Sequence, residues 1–266
     1  MHEARGRVLI IAGSDSGGGA GIQADIKTVT ALGGFATTAI TAVTVQNTLG
    51  VSGVHQIPLD VIEAQARAVL EDIGTDAIKT GMLGDAATAA LAAELIELAG
   101  APAVIDPVMV AKGGHALLQA DAVQAVRERL IPRAALLTPN APEAEVLTGV
   151  VVTTTDDLYR AGEALLKLGA AAVLMKGGHV PGPRVVDVLM TPLAHTRYET
   201  GRIDTRHTHG TGCTLASACA AGLAQGLGLE ASVARARDYV LEAIRKAPGF
   251  GAGAGPLDHA WPMRDR

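Results

Sequence analysis

Apolar residues along this chain follow two alternating rhythms. Short apolar runs occupy 8–13, 35–44, 76–80, 103–106, 135–138 and 171–176, and the second is rich in β-branched residues such as Thr37, Thr38, Ile40 and Val43. Between them, 21–32, 58–73, 85–98, 121–130, 141–147 and 156–168 carry apolar residues at helical spacing, as at Val61, Ile62, Ala66, Val69 and Leu70. The first rhythm predicts buried strands and the second helices. The punctuation agrees: Asp85 stands where a helix N-cap is needed, and Pro107 and Pro139 stop the runs before them. Further on, 185–190 and 195–203 read as hairpin strands, and 214–225 and 230–247 as closing helices. Strands separated by helices make right-handed βαβ units. The expected fold is therefore a three-layer α/β/α sandwich with a central, mostly parallel sheet. No linker divides the chain, so 1–266 reads as one domain. The glycine-rich 248–255 reads as a loop, because Leu257 and Trp261 behind it can dock.

Composition narrows this picture. Hydrophobic residues make up 48% of the chain but aromatics only 2%, so the core must be built from Ala, Val, Leu and Ile. Charged residues are 18%, the net charge is −5 and no basic run occurs, which argues against nucleic acid as a partner. The apolar run 8–12 is too short for a signal segment, and no charge-free stretch of about 18 apolar residues suggests a membrane span. If Cys213 and Cys219 share a helix, they stand roughly 9 Å apart along its axis. That is beyond disulfide reach and fits a cytoplasmic protein.

In open α/β sheets ligands gather outside the carboxyl ends of the strands. There this chain carries Gly13-Ser14-Asp15, Gln46-Asn47, Thr80-Gly81-Met82, Asp106-Pro107-Val108, Pro139-Asn140 and Lys176-Gly177-Gly178-His179. The most informative segment is His209-Gly210-Thr211-Gly212-Cys213-Thr214, which leads into a small-residue helix. Glycines at a helix start let N–H groups converge, and the helix dipole adds positive potential, as phosphoryl transfer requires. A thiol placed there is expected to have a lowered pKa. Residues 13–25 form a Gly/Ser loop that lets a small substrate approach the backbone, with Asp25 on the helix behind it as a hydrogen-bonding group. Gly19-x-Gly21-x-x-Ala24 matches a dinucleotide pattern, but no acidic residue about 20 positions on completes it. Asn140-Ala141-Pro142-Glu143 opens a helix and offers a carboxylate of the kind Mg²⁺ takes together with waters and phosphates. Lys176 is a cation at a strand end beside flexible glycines. A zinc site at His207, His209, Cys213 and Cys219 fails on spacing.

Together these segments resemble the hydroxymethylpyrimidine/phosphomethylpyrimidine kinases of thiamine biosynthesis, within the ribokinase-like superfamily. The matching pieces are 13–25 with Lys27-Thr28, 40–48 with Val45-Gln46-Asn47-Thr48, 79–83, 106–109, 138–140 with Glu143-Ala144, 176–179 and 208–214. The superfamily more commonly carries Asp at the position of Cys213. The resemblance implies a ribokinase-like sandwich, a hydroxymethylpyrimidine or its monophosphate as substrate, ATP as donor, Mg²⁺ and a homodimer. It implies Cys213 as the catalytic residue, with the N–H groups of Gly210, Thr211, Gly212 and Cys213 as the anion hole. Gln46 would bond the pyrimidine, and Gly13, Asp25, Met82 and Val108 would line its pocket. Lys176, Thr211, Asp106 and Asn140 would face the phosphates, and Glu143 with Asp106 would hold Mg²⁺ through water. The alternatives are a pyridoxal kinase of the same superfamily and, on the Gly19 pattern alone, a nicotinamide-dependent dehydrogenase. The glycine pairs 113–114 and 177–178 are expected hinges.

Overall fold

The computed structural model describes residues 6–109 and 121–264. Strands β1 (Arg7–Asp15), β2 (Phe35–Asn47), β3 (Gly50–Gln56), β4 (Ala77–Thr80), β5 (Ala103–Ile105), β6 (Ala134–Leu137), β7 (Val173–Met175), β8 (Arg184–Met190) and β9 (His195–Gly201) join in one sheet. The order across it is β3-β2-β1-β4-β5-β6-β7-β8-β9. Pairing is parallel from β2 through β7 and antiparallel at β2–β3, β7–β8 and β8–β9. The helices are α1 (Gly21–Ala31), α2 (Leu59–Asp72), α3 (Ala86–Ala99), α4 (Ala122–Ala125), α5 (Ala141–Thr148), α6 (Thr155–Lys167), α7 (Thr211–Ala224), α8 (Leu229–Arg245) and α9 (Trp261–Arg264).

Alternation along β1 builds the layers. Leu9 and Ile11 pack with residues of α2, α3, α5 and α6, while Val8, Ile10 and Ala12 pack with α1, α7 and α8. The sandwich expected from the sequence is therefore what forms. Among the described residues, no helix is long and apolar enough to cross a membrane.

Several elements depart from the sequence expectation. β2 runs on to Asn47 and is followed by β3, in a stretch where the sequence reading names no element. β3 is an edge strand without a fully buried residue, so it has no apolar face to announce it. The helix expected at 121–130 is a short α4 continued by a π-helical turn over Val126–Leu130, ended by a 3₁₀ turn that contains Pro132. Helix α7 begins at Thr211, not Thr214, which draws Cys213 into its first turn. Gly177 is buried, and a Cβ there would collide with Val186 O, whereas Gly178 beside it is exposed and has open space around it. Gly113 and Gly114 lie outside the described residues.

The sheet order places a topological switch between β1 and β4, where successive connections depart in opposite directions. A crevice opens at such a point, outside the strand ends.

Candidate active site

That crevice is part of a cleft of about 1140 Å³, large for a single small ligand. One end lies over β1, β2 and β4. Gly13, Gln46, Met82 and Val108 line it. Gly13 abuts Met82: a Cβ on the glycine would come within 2.6 Å of Met82 Cε. Gln46 is held from both sides. Its backbone exchanges hydrogen bonds with Ser16 Oγ (2.7 and 2.8 Å), and Thr44 Oγ1 donates to its Oε1 at 3.1 Å. Its Nε2 lies 3.2 Å from His209 Nε2, which in turn lies 2.9 Å from Asp15 Oδ2.

Asp15 organises the glycine loop. It accepts from the N–H groups of Gly17 (2.8 Å), Gly19 (3.1 Å) and Ala20 (2.8 Å). Burial would raise its pKa, but His209 and the Ala20 and Gly17 amides outweigh that and hold it below the usual range. The loop then passes against the start of α7. Gly210 sits at φ +82°, and a Cβ there would collide with Gly19 O. Both constraints require glycine.

The first turn of α7 supplies N–H groups that a helix cannot satisfy internally. The Thr211 hydroxyl is engaged locally, donating to Thr208 O at 2.8 Å. Lys176 reaches the turn from the end of β7: a Cβ on Gly212 would lie 3.1 Å from its Nζ and 3.5 Å from Asp106 Oδ2. Lys176 Nζ bonds Asp106 Oδ1 at 2.9 Å and stands 3.8 Å from Glu143 Oε2. Thr138 Oγ1 adds a bond to Asp106 at 3.2 Å. Asn140 and Glu143 form a reciprocal capping box on α5, which fixes the Glu143 carboxylate at the cleft wall. Burial, with Asp106 nearby, pushes Glu143 up to about 7 against the pull of Lys176 and Asn140. Burial alone would lower Lys176, but Asp106 and Glu143 hold it above its ordinary value.

Cys213 lines the cleft between these two ends, half-buried, with the Gly21 amide directed at its sulfur. The expected lowering of its pKa does not occur. Burial pushes the thiol up to about 11, and the opposing effect of Lys79 does not compensate.

Asp25 is not a pocket wall. It is fully buried beneath the floor, where Lys79 Nζ bonds both its oxygens at 3.0 and 2.9 Å and Ser217 Oγ donates at 2.7 Å. Lys79 itself reaches the cleft lining. The sequence reading placed Asp15, Lys79 and His209 within its motifs but assigned none of them a role in the site. A lysine inside the buried strand Ala-Ile-Lys-Thr was the available signal, since a buried charge demands a partner.

The comparisons with known proteins fit this geometry. The sequence model of the phosphomethylpyrimidine kinase family matches residues 15–258. The hydroxymethylpyrimidine/phosphomethylpyrimidine kinase of Streptomyces coelicolor is 49% identical over 256 residues, covering 96% of this chain and 95% of its own. The thiamine biosynthesis bifunctional protein ThiED of Geobacter sulfurreducens is 50% identical over 266 residues, 98% of this chain, and this chain spans only 54% of that protein's length. Among solved structures, the ADP complex of Bacillus subtilis pyridoxal kinase superposes with a TM-score of 0.91 at 37% identity, covering 99% of this chain and 100% of that one. The fold is ribokinase-like, and the chain belongs to the phosphomethylpyrimidine kinase family.

Proposed function

We propose that this protein phosphorylates 4-amino-5-hydroxymethyl-2-methylpyrimidine with ATP, first to the monophosphate and then to the diphosphate, in thiamine biosynthesis. The observation that carries the reading is the placement of Cys213 in one cleft, between a fixed amide reader, Gln46, and the cationic helix start where Lys176 meets Gly212. Gln46 would bond the pyrimidine ring, with Gly13, Met82 and Val108 as its walls. The α7 N–H groups of Thr211, Gly212 and Cys213, next to Gly210, would hold the charge on the transferring phosphoryl group. Lys176 would neutralise the donor phosphates.

In the first step the substrate hydroxyl oxygen bonds the γ-phosphorus as the bond to the bridging oxygen breaks and ADP leaves. The hydroxyl proton passes to the Cys213 sulfur, which must enter the step as a thiolate and leaves it as a thiol. In the second step the attacking phosphate oxygen is already ionised and needs no base. Asp106 and Glu143 suit Mg²⁺: they are hard oxygen donors grouped beside Lys176 at the phosphate end. The ion would offset charge on the β- and γ-phosphates. Cys213 and Cys219 are free, which supports the cytoplasm as the compartment. Exposed Val43, Val45 and Val54 along β2 and β3 support a homodimer.

A coupled ADP-release assay with hydroxymethylpyrimidine, ATP and Mg²⁺ tests the reading. Two equivalents of ADP per pyrimidine are expected, with a diphosphate product. A second reading, pyridoxal kinase, is favoured by the likeness to the B. subtilis enzyme. Turnover of pyridoxal without turnover of the pyrimidine would establish it instead.

A further inference from the structure

The base in this mechanism faces a difficulty: the environment holds Cys213 as a thiol. Four groups face it from the elements around α7. Asp25 lies on α1, Lys79 on β4, Asp106 after β5 and Lys176 after β7. His209 precedes the helix but is tied to Asp15, and His259 is taken up by Thr214, the next residue along. Both carboxylates oppose a thiolate. Lys176 is shared between Asp106 and Glu143. Lys79 is different. It is completely buried, and Asp25, itself bonded by Ser217, fixes it in place. Ser217 follows Cys213 by four residues, so the two lie on one face of α7 a single turn apart. The Ser217–Asp25–Lys79 chain thus runs under the floor, and Lys79 joins Cys213 in lining the cleft.

We propose that Lys79 is a positioning residue for the reacting thiol: its buried ammonium, held by Asp25, which Ser217 in turn bonds, is the fixed counter-charge that favours the Cys213 thiolate to which the substrate hydroxyl gives its proton. The pair costs desolvation and is a poor stabiliser of the fold as such. Its presence at this point is explained by what it does for Cys213. Burial would strip the proton from an isolated lysine, but Asp25, with Cys213 and Asp106, holds Lys79 charged.

The proposal rests on the kinase reading only in taking Cys213 as the base, and its test needs neither pyrimidine nor ATP. The rate of Cys213 alkylation by iodoacetamide is followed from pH 7 to 10, on the limb below the midpoint, whose displacement along the pH axis reads the shift, with the modified residue located by peptide fragmentation. In K79Q, whose amide can still donate to Asp25, the midpoint should move up by at least about one unit, so that alkylation at pH 8 slows about tenfold. S217A, which keeps both charges, should leave the midpoint near that of the parent and controls for general loosening of the floor. Should K79Q not fold, the double variant K79M/D25N, which leaves no unpaired buried charge, is expected to shift the midpoint up by less, because Asp25 itself opposes the thiolate. An unchanged midpoint in either folded charge-removing variant would overturn the proposal. In turnover, the double variant should slow the first phosphorylation and spare the second, a split that mere disruption of packing would not produce.

Discussion

Removing the Cys213 sulfur takes away the proton acceptor but leaves the helix N–H groups and Lys176 in place. Cys213→Ala is therefore expected to slow the first phosphorylation by about 100-fold, the lower range for loss of a general base. The second phosphorylation should change much less. Cys213→Ser, lacking the acidity, should behave as Ala in the first step. Separate single-turnover rates on the alcohol and on its monophosphate check this, and equal losses would rule it out. Glu143 supports a stability prediction. Its folded pKa of about 7 exceeds the ordinary 4.5. Between those values the folded chain binds more protons than the unfolded one, so stability falls as pH rises through this window. Glu143→Gln, which can still accept from the Asn140 amide, should match the parent at pH 4. At pH 8 it should be more stable by on the order of 1 kcal/mol in urea titrations, while turnover drops roughly tenfold. At this scale the sequence was legible where residue type and neighbours carry the chemistry, as at Gln46, Lys176 and Cys213. It misled at Asp25 and at the thiol pKa. Both depend on how deeply a group is buried and which distant charge meets it, and neither is encoded within a few residues of the group.

Helix α7 combines its small residues with close packing. Gly222 lies against α8, where an added Cβ would stand 2.6 Å from Ser232 Oγ and 3.0 Å from Ser232 Cα. Because backbone stands behind the hydroxyl, rotation of Ser232 cannot relieve the clash. Gly222→Ala should thus destabilise by about 1–3 kcal/mol despite the better helix propensity of Ala, read as a lowered urea midpoint. The start of the same helix is buttressed by the segment after residue 254. His209 N donates to Gly255 O at 3.1 Å, Thr214 Oγ1 lies 2.9 Å from His259 Nε2, and Tyr239 Oη donates to His259 O at 2.7 Å. Burial lowers His259 to about 4. The unfolded chain takes up a proton near 6.5 that the folded chain refuses, so this contribution is whole above pH 6.5 and is lost as pH falls toward 4. The stability difference between the parent and His259→Gln should be constant above pH 6.5 and shift by about 2 kcal/mol against the parent by pH 4.5. Elements with two buried faces or clear caps, such as β1 and α3, announced themselves in the sequence. β3 did not, because an exposed edge strand has no core face to pattern.

For the whole molecule, the alternation of strands and helices sufficed to foresee three layers, since each rhythm states which face must be covered. The strand order was not legible in the same way. It depends on which edge each new βαβ unit extends, and that is settled by packing between segments far apart in sequence. Yet the order decides where the cleft opens. Reversal of direction between β1 and β4 brings the glycine loop, Lys79 and Met82 to one crevice. The scarcity of aromatics has a practical result. Trp261 is the only indole in the chain. Its Nε1 donates to Tyr239 O at 3.1 Å, and Lys246 Nζ stands 5.0 Å from its ring centroid. Fluorescence excited at the red edge of aromatic absorption therefore comes from one place, the docked segment behind the start of α7. Backbone circular dichroism reads the sheet and helices instead. Acidification followed by both signals should show the indole emission shifting to longer wavelength, before ellipticity is lost, if the segment detaches as His259 charges. Superimposable curves would mean that segment and sandwich melt as one unit. The molecule thus carries its own optical label at the support of its candidate active site.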